Sequence, residues 1–185
     1  SKGLQRFDGH EFKTWTKANQ SNKIYQISSI GQDNAGWLWL WNSYLYEFVF
    51  LNPVTEEILT EEQRFGNSFP INRISYDKGW HNTSHQILTD SKGRLCFAST
   101  QPNVLFTFDA VAGFTEISLN HFQVDYIELN FIDDSGHYWM TLGEEEPSLV
   151  EIDSLGNILN SYDLKNKPNF YSFSQTNDHI YFEET

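Results

Sequence analysis

Asp33-Asn34-Ala35-Gly36-Trp37-Leu38-Trp39-Leu40 sets a tight turn against an alternating aromatic strand. The same frame returns twice, as Asp90-Ser91-Lys92-Gly93-Arg94-Leu95-Cys96-Phe97 and Asp133-Asp134-Ser135-Gly136-His137-Tyr138-Trp139-Met140. A degenerate fourth copy, Thr176-Asn177-Asp178-His179-Ile180-Tyr181-Phe182, keeps the strand but puts Asp178 at the glycine position. With the equivalent positions at 36, 93, 136 and 178, the later steps fall within the roughly 40 to 50 residues of a four-stranded propeller blade, and the first is longer by about one loop. The chain therefore reads as a repeat protein.

Outward from each turn, the short alternating runs are those of half-buried antiparallel strands. In the second unit they cover 85–89, 94–98, 104–108 and 114–119; in the third, 127–132, 137–142, 148–152 and 158–162. Third strands carry their own signature, in Leu4-Gln5-Arg6-Phe7-Asp8, Leu105-Phe106-Thr107-Phe108-Asp109 and Leu149-Val150-Glu151-Ile152-Asp153, with Gly9, Gly113 and Gly156 following. The first unit departs from this: Leu45-Tyr46-Glu47-Phe48 is followed by an Asn52-Pro53 turn that lacks both the aspartate and the glycine.

The expected fold is all-β, a β-propeller of four-stranded antiparallel blades, here a segment of three full blades plus two half-blades. The half-blades are 1–15 and 170–185; the blades are about 27–60, 84–119 and 127–162. The half-blades can share one blade and close a four-bladed ring, or belong to a longer propeller. An open blade face carrying on the order of 400 Å² of apolar surface forfeits about 10 kcal/mol when left wet, comparable with the stability of a domain. The expected partner is thus a second copy in a homodimer or the continuation of the same propeller.

Composition narrows the partners further. The formal charge is −13, from 12 Lys and Arg against 25 Asp and Glu, and this sign repels phosphate backbones and anionic headgroups, so neither nucleic acid nor direct membrane contact is expected. The 39% hydrophobic and 16% aromatic content suits a packed globular core. Cys96, the sole cysteine, reads as a small buried hydrophobe. No stretch approaches a membrane span or a signal peptide, so any export signal or anchor is expected outside these residues.

A calcium loop needs a dense alternation of oxygen ligands, whereas each Asp-x-x-Gly offers one or two; the turns read as structural, with Asp bonding backbone N–H groups and Gly supplying positive φ. His81 and His85 share a metal-like spacing, but His85 begins a strand, so no metal site and no cofactor are expected. The loops joining strand two to three, and strand four to the next blade, emerge on the face opposite these turns. That face carries the acidic loop 143–147 and the longest insertion, about 61–84, with Arg64, Phe65, Asn72, Arg73, Tyr76, Asp77, Trp80 and His81. Long loops in compact domains are usually functional. Flat aromatic surfaces among Asn, Asp and Arg suit sugar rings, so Asn72, Arg73, Tyr76, Trp80 and His81, with Glu144 and Glu145, are the expected ligand-binding residues. The alternative is that the insertion covers an adjacent blade or fills a dimer contact.

Gly3-Leu4-Gln5-Arg6-Phe7-Asp8-Gly9 followed by Phe12, and 27–40 with its Gln32-Asp33 pair, turn glycine and aromatic strand, resemble the two halves of the two-component regulator propeller repeat. Glu183-Glu184 departs from the Gly-Thr usual after the second strand. The resemblance implies the periplasmic or extracellular sensor region of a hybrid histidine kinase, with the full-length protein anchored in the inner membrane. It also implies a non-enzymatic segment that binds a small polar ligand, an oligosaccharide among the candidates, and signals through a dimer. No kinase, receiver or DNA-binding motif occurs in the chain. A propeller lyase or glycosidase, for which Asn72, His85 and Glu128 are the positions of interest, and a purely structural propeller are the alternatives.

Overall fold

The computed structural model describes residues 4–7, 9–15, 26–45, 47–70, 86–100, 103–143, 145–164, 170–176 and 179–184. They form three four-stranded antiparallel sheets and two hairpins. The first hairpin is β1 (Leu4–Phe7) and β2 (Phe12–Trp15). Blade one is β3 (Ile27–Gln32), β4 (Leu38–Asn42), β5 (Glu47–Leu51) and β6 (Ile58–Thr60). Helix α1 (Glu61–Phe65) follows. Blade two is β7 (Leu88–Thr89), β8 (Leu95–Thr100), β9 (Asn103–Asp109) and β10 (Gly113–Ser118). Blade three is β11 (Ile127–Ile132), β12 (Tyr138–Leu142), β13 (Ser148–Ile152) and β14 (Ile158–Asp163). A last hairpin pairs β15 (Phe170–Thr176) with β16 (His179–Glu184). In each sheet the strands pair in sequence order, and the two hairpins are separate sheets.

Alternation decides the packing. Because successive side chains leave a strand on opposite faces, each blade gives its odd and even positions to different neighbours. Trp39 and Trp41 of β4, with Phe48 and Phe50 of β5, pack on Leu95, Phe97, Val104, Phe106 and Phe108 of blade two. Leu40, Val49 and Leu51, on the other face of blade one, join Trp15 of the first hairpin. Blade two turns Cys96, Ala98 and Leu105 toward Tyr138, Met140, Val150 and Ile152 of blade three. Trp139 and Leu149 occupy the next face on, with Leu164.

The repeated turns are built alike. Asp33 Oδ1 accepts from the N–H groups of Ala35 and Trp37, Asp90 Oδ1 from Lys92 and Arg94, and Asp133 Oδ1 from Ser135 and His137. Gly36, Gly93 and Gly136 supply φ of +84°, +75° and +81°, a region closed to most side chains. The aberrant turn of blade one follows the same logic with other residues: Asn52 Oδ1 accepts from Val54 and Thr55, and Glu56 takes the positive φ, at +64°.

Blade two departs from the expected strand at 85–89. Among the described residues its first strand is only Leu88–Thr89. Ile87 instead donates its N–H sideways to the Ser29 hydroxyl of β3, at 2.9 Å. Gly31 lets the two blades meet there, since a Cβ at that position would lie 2.4 Å from Ile87 Cγ2 and 2.7 Å from Leu95 Cδ2.

Candidate functional site

The face opposite the Asp-x-x-Gly turns carries the β4–β5, β6–β7, β10–β11 and β12–β13 connections. Asn42 Oδ1 holds the first of these by accepting from the N–H groups of Tyr44 and Leu45, and it leaves the Tyr44 ring 71% exposed. Gly143 donates to the Tyr126 carbonyl at 2.9 Å, which brings the acidic loop against the entry to β11. Of the expected ligand-binding residues, Glu145 lies on this face and is exposed; Asn72, Arg73, Tyr76, Trp80, His81 and Glu144 lie outside the described residues.

The described start of the insertion follows the alternative stated above, a cover over an adjacent blade: Arg64 and Phe65 are partly buried, and Phe65 packs on the cluster that joins blades one and two. Thr60 and Gln63 form a reciprocal capping box that nucleates α1, and the Glu61 carboxylate accepts from Phe48 N–H at 2.7 Å, fastening the helix to β5. The helix turns Arg64 into the seam between blades one and two. Its Nη2 donates to Asp33 Oδ2 at 2.5 Å, the same oxygen that accepts Trp39 Nε1 at 2.9 Å. The guanidinium lies 4.6 Å from the Trp37 ring, 4.9 Å from the Phe50 and Phe65 rings and 5.8 Å from Phe108. Phe69 closes the cluster and is buried. Burial lowers the Arg64 pKa, against the opposing pull of Asp33; the aromatic faces and the single carboxylate are what keep the cation there.

The equivalent place in blade two is smaller. Arg94, in the same turn, donates Nε to Asp90 Oδ2 at 2.7 Å. Cys96 stands where Trp39 and Trp139 stand in the other blades, and it faces Tyr138. Burial pushes the Cys96 thiol up to about 12 and the Tyr138 phenol likewise to about 12, so both stay protonated and neither serves as a nucleophile at neutral pH.

In blade three the same place gathers two acids and a histidine. Asp133 Oδ2 accepts Trp139 Nε1 at 3.1 Å and lies 3.6 Å from His137 Nδ1. That nitrogen is also 2.7 Å from Glu151 Oε1, and Asn160 Nδ2 donates to Glu151 Oε2. One ligating atom from each of Asp133, His137 and Glu151 lies within 4.8 Å of the others. Sequence reading passed over this trio. Its signal was spacing: His137 follows Asp133 by one turn, and Glu151 is set opposite Trp139 by the β12–β13 register.

The first strands β3, β7 and β11 are neighbours. Ser28, Ile30 and Gln32 of β3 and Thr89 of β7 are exposed. On β11, Glu128 Oε2 accepts from the Tyr126 hydroxyl at 2.7 Å, and Asn130 donates to Thr141 at 2.9 Å. His85 and Asn72 lie outside the described residues.

The fold is that of a β-propeller. No protein-family model matches the chain, and no curated protein matches it. Solved structures do. Virginiamycin B lyase from Staphylococcus aureus is 14% identical, with a TM-score of 0.63, over 99% of this chain and 56% of the lyase. A streptogramin B lyase is 17% identical, with a TM-score of 0.55, over 89% of this chain and 50% of that enzyme. The extracellular domain of a hybrid two-component system from B. thetaiotaomicron is 18% identical, with a TM-score of 0.61, over 94% of this chain and 23% of that domain. A second such domain from the same organism is 14% identical, with a TM-score of 0.57. The chain spans about half the length of the lyases it matches. Among the described residues no helix is long and apolar enough to cross a membrane.

Proposed function

We propose that this chain is a non-enzymatic segment of the ligand-sensing propeller of a two-component sensor, placed in the periplasm or outside the cell, whose full-length protein is anchored in the inner membrane. It binds a small polar ligand, of the oligosaccharide class, on the face bearing the insertion and the acidic loop, and passes the signal through a dimer. One observation carries this reading: the chain resembles the two-component propeller repeat in Gly3–Phe12 and 27–40, and its fold is similar to two extracellular domains of hybrid two-component systems over 94% and 93% of its length. Ser28, exposed toward the insertion-face end of β3, is a neutral donor and acceptor suited to hydroxyl recognition rather than proton transfer.

Titration calorimetry of the full sensor region against glycan fragments tests it. Saturable binding is expected, with Trp80→Ala or Arg73→Ala weakening it by about tenfold or more. Unchanged binding in both variants removes the insertion from the site.

The likeness to virginiamycin B lyase over 99% of the chain favours a second reading, a propeller lyase. Glu128, which accepts from the Tyr126 hydroxyl, is the one carboxylate on the described first strands β3, β7 and β11. Turnover of virginiamycin B, or of a lactone and glycan panel, that is lost in Glu128→Gln would replace the sensor reading with this one.

A further inference from the structure

The three blades allow one local environment to be compared with itself. At the turns 33–36, 90–93 and 133–136 the aspartate Oδ1 is consumed by two backbone N–H groups, and Oδ2 is left to meet a side chain. In blade one that second oxygen meets the guanidinium of Arg64; in blade two it meets the guanidinium of Arg94. Both are permanent cations. Blade three has no such group among the described residues. It brings a second carboxylate, Glu151, whose side chain is 10% exposed, beside Asp133 at 12%, with His137 between them. Where two blades place one acid against one cation, the third places two acids around an imidazole. Two carboxylates this close want a counter-charge, and the position that supplies it in blade two, Arg94, is in blade three the nitrogen donor His137.

We propose that Asp133, His137 and Glu151 form a binding site for a divalent transition-metal ion of the zinc, cobalt or nickel class. The donor set, one imidazole nitrogen and two carboxylate oxygens, is borderline in softness and suits these ions better than calcium or magnesium, which take oxygen shells. Metal–ligand bonds of about 2.0 to 2.2 Å set neighbouring donors about 3 to 3.5 Å apart. His137 Nδ1 already stands 3.6 Å from Asp133 Oδ2 and 2.7 Å from Glu151 Oε1, so a small opening of the second contact seats the ion. The outer shell is in place: Asn160 holds the far oxygen of Glu151, and Trp139 together with two backbone N–H groups holds Asp133. His137 is a third exposed, which leaves the remaining coordination positions to water or to a donor from a ligand or partner.

The test is calorimetric titration of the full chain, first stripped with a chelator, using zinc, nickel and calcium chlorides in turn. One zinc or nickel ion per chain is expected, with no calcium binding at this site. Glu151→Gln and His137→Gln should each weaken binding by more than about tenfold. A measurement on the unaltered protein guards against misfolded variants: nickel should broaden the ring-proton signals of His137 selectively among the six histidines. Four results overturn the proposal: no binding of zinc or nickel, a preference for calcium, binding that both variants retain, or sharp His137 signals in the nickel-loaded chain. The trio would then be a hydrogen-bonded brace between β12 and β13.

Discussion

Arg64 shows how one residue can reverse its meaning between sequence and structure. In the chain it opens a polar, aromatic insertion and invites a ligand; folded, its side chain is 10% exposed and paired with an Asp33 carboxylate that is 0% exposed. The price of burying that charge is offset by a carboxylate, an indole donor to the same carboxylate and several ring faces. Removing one partner leaves the other charged and buried, so Arg64→Ala should lower the unfolding free energy by about 3 kcal/mol or more in urea titrations. Arg64→Lys should recover only part of it, because the ammonium cannot lie flat among the rings while bonding Asp33. What was legible at this scale was the Asp turn, whose chemistry is local. The partner of its second oxygen was not, since Arg64 is brought in from the far end of the blade.

At the scale of the element, strand pattern and turn chemistry carried most of the reading. The runs 127–132 and 148–152 coincide with β11 and β13, because alternation and a terminal Asp or Gly leave little freedom of register. Two features escaped it. Asn52 and Glu56 perform the tasks of an aspartate and a glycine that the sequence lacks. Gly31 reads as an ordinary strand residue until Ile87 and Leu95 are placed against it. Gly31→Ala should therefore cost about 1 to 3 kcal/mol through overpacking of the seam. Its neighbour substitution Ser28→Ala, at an exposed position, should be nearly neutral, and paired thermal or urea unfolding of the two variants separates packing from strand propensity. The expected binding residues were legible only as a composition, and most of them, in 72–81, lie beyond the described residues.

For the whole molecule, the exposed turn carboxylates tie stability to acidity. Asp109 is held below the usual carboxylate range by N–H donation from Ala112 and Val111. Asp153 is held below it by the side chain and backbone of Asn157. Below the ordinary value of about 3.9 the unfolded chain binds more protons than the folded one, so this stabilisation is complete above that pH and is lost as pH falls through the depressed folded values. A formal charge of −13 acts in the opposite direction, since protonation relieves self-repulsion. Comparison with Asp109→Asn/Asp153→Asn isolates the turn contribution: the variant should show a shallower acid limb in urea midpoints measured from pH 6 to about 2.

The alternation of the strands carries a final consequence. Trp39 and Leu40 are bonded neighbours, yet Trp39 shares its fate with Phe108 of the next blade, 4.8 Å away, while Leu40 answers to Trp15 of the preceding hairpin. The unit of mechanical cooperation is thus the joint between blades rather than the blade. Strain introduced at one joint reaches the next only by crossing the thickness of a single sheet, which is the path along which an event on one blade would be felt by its neighbours.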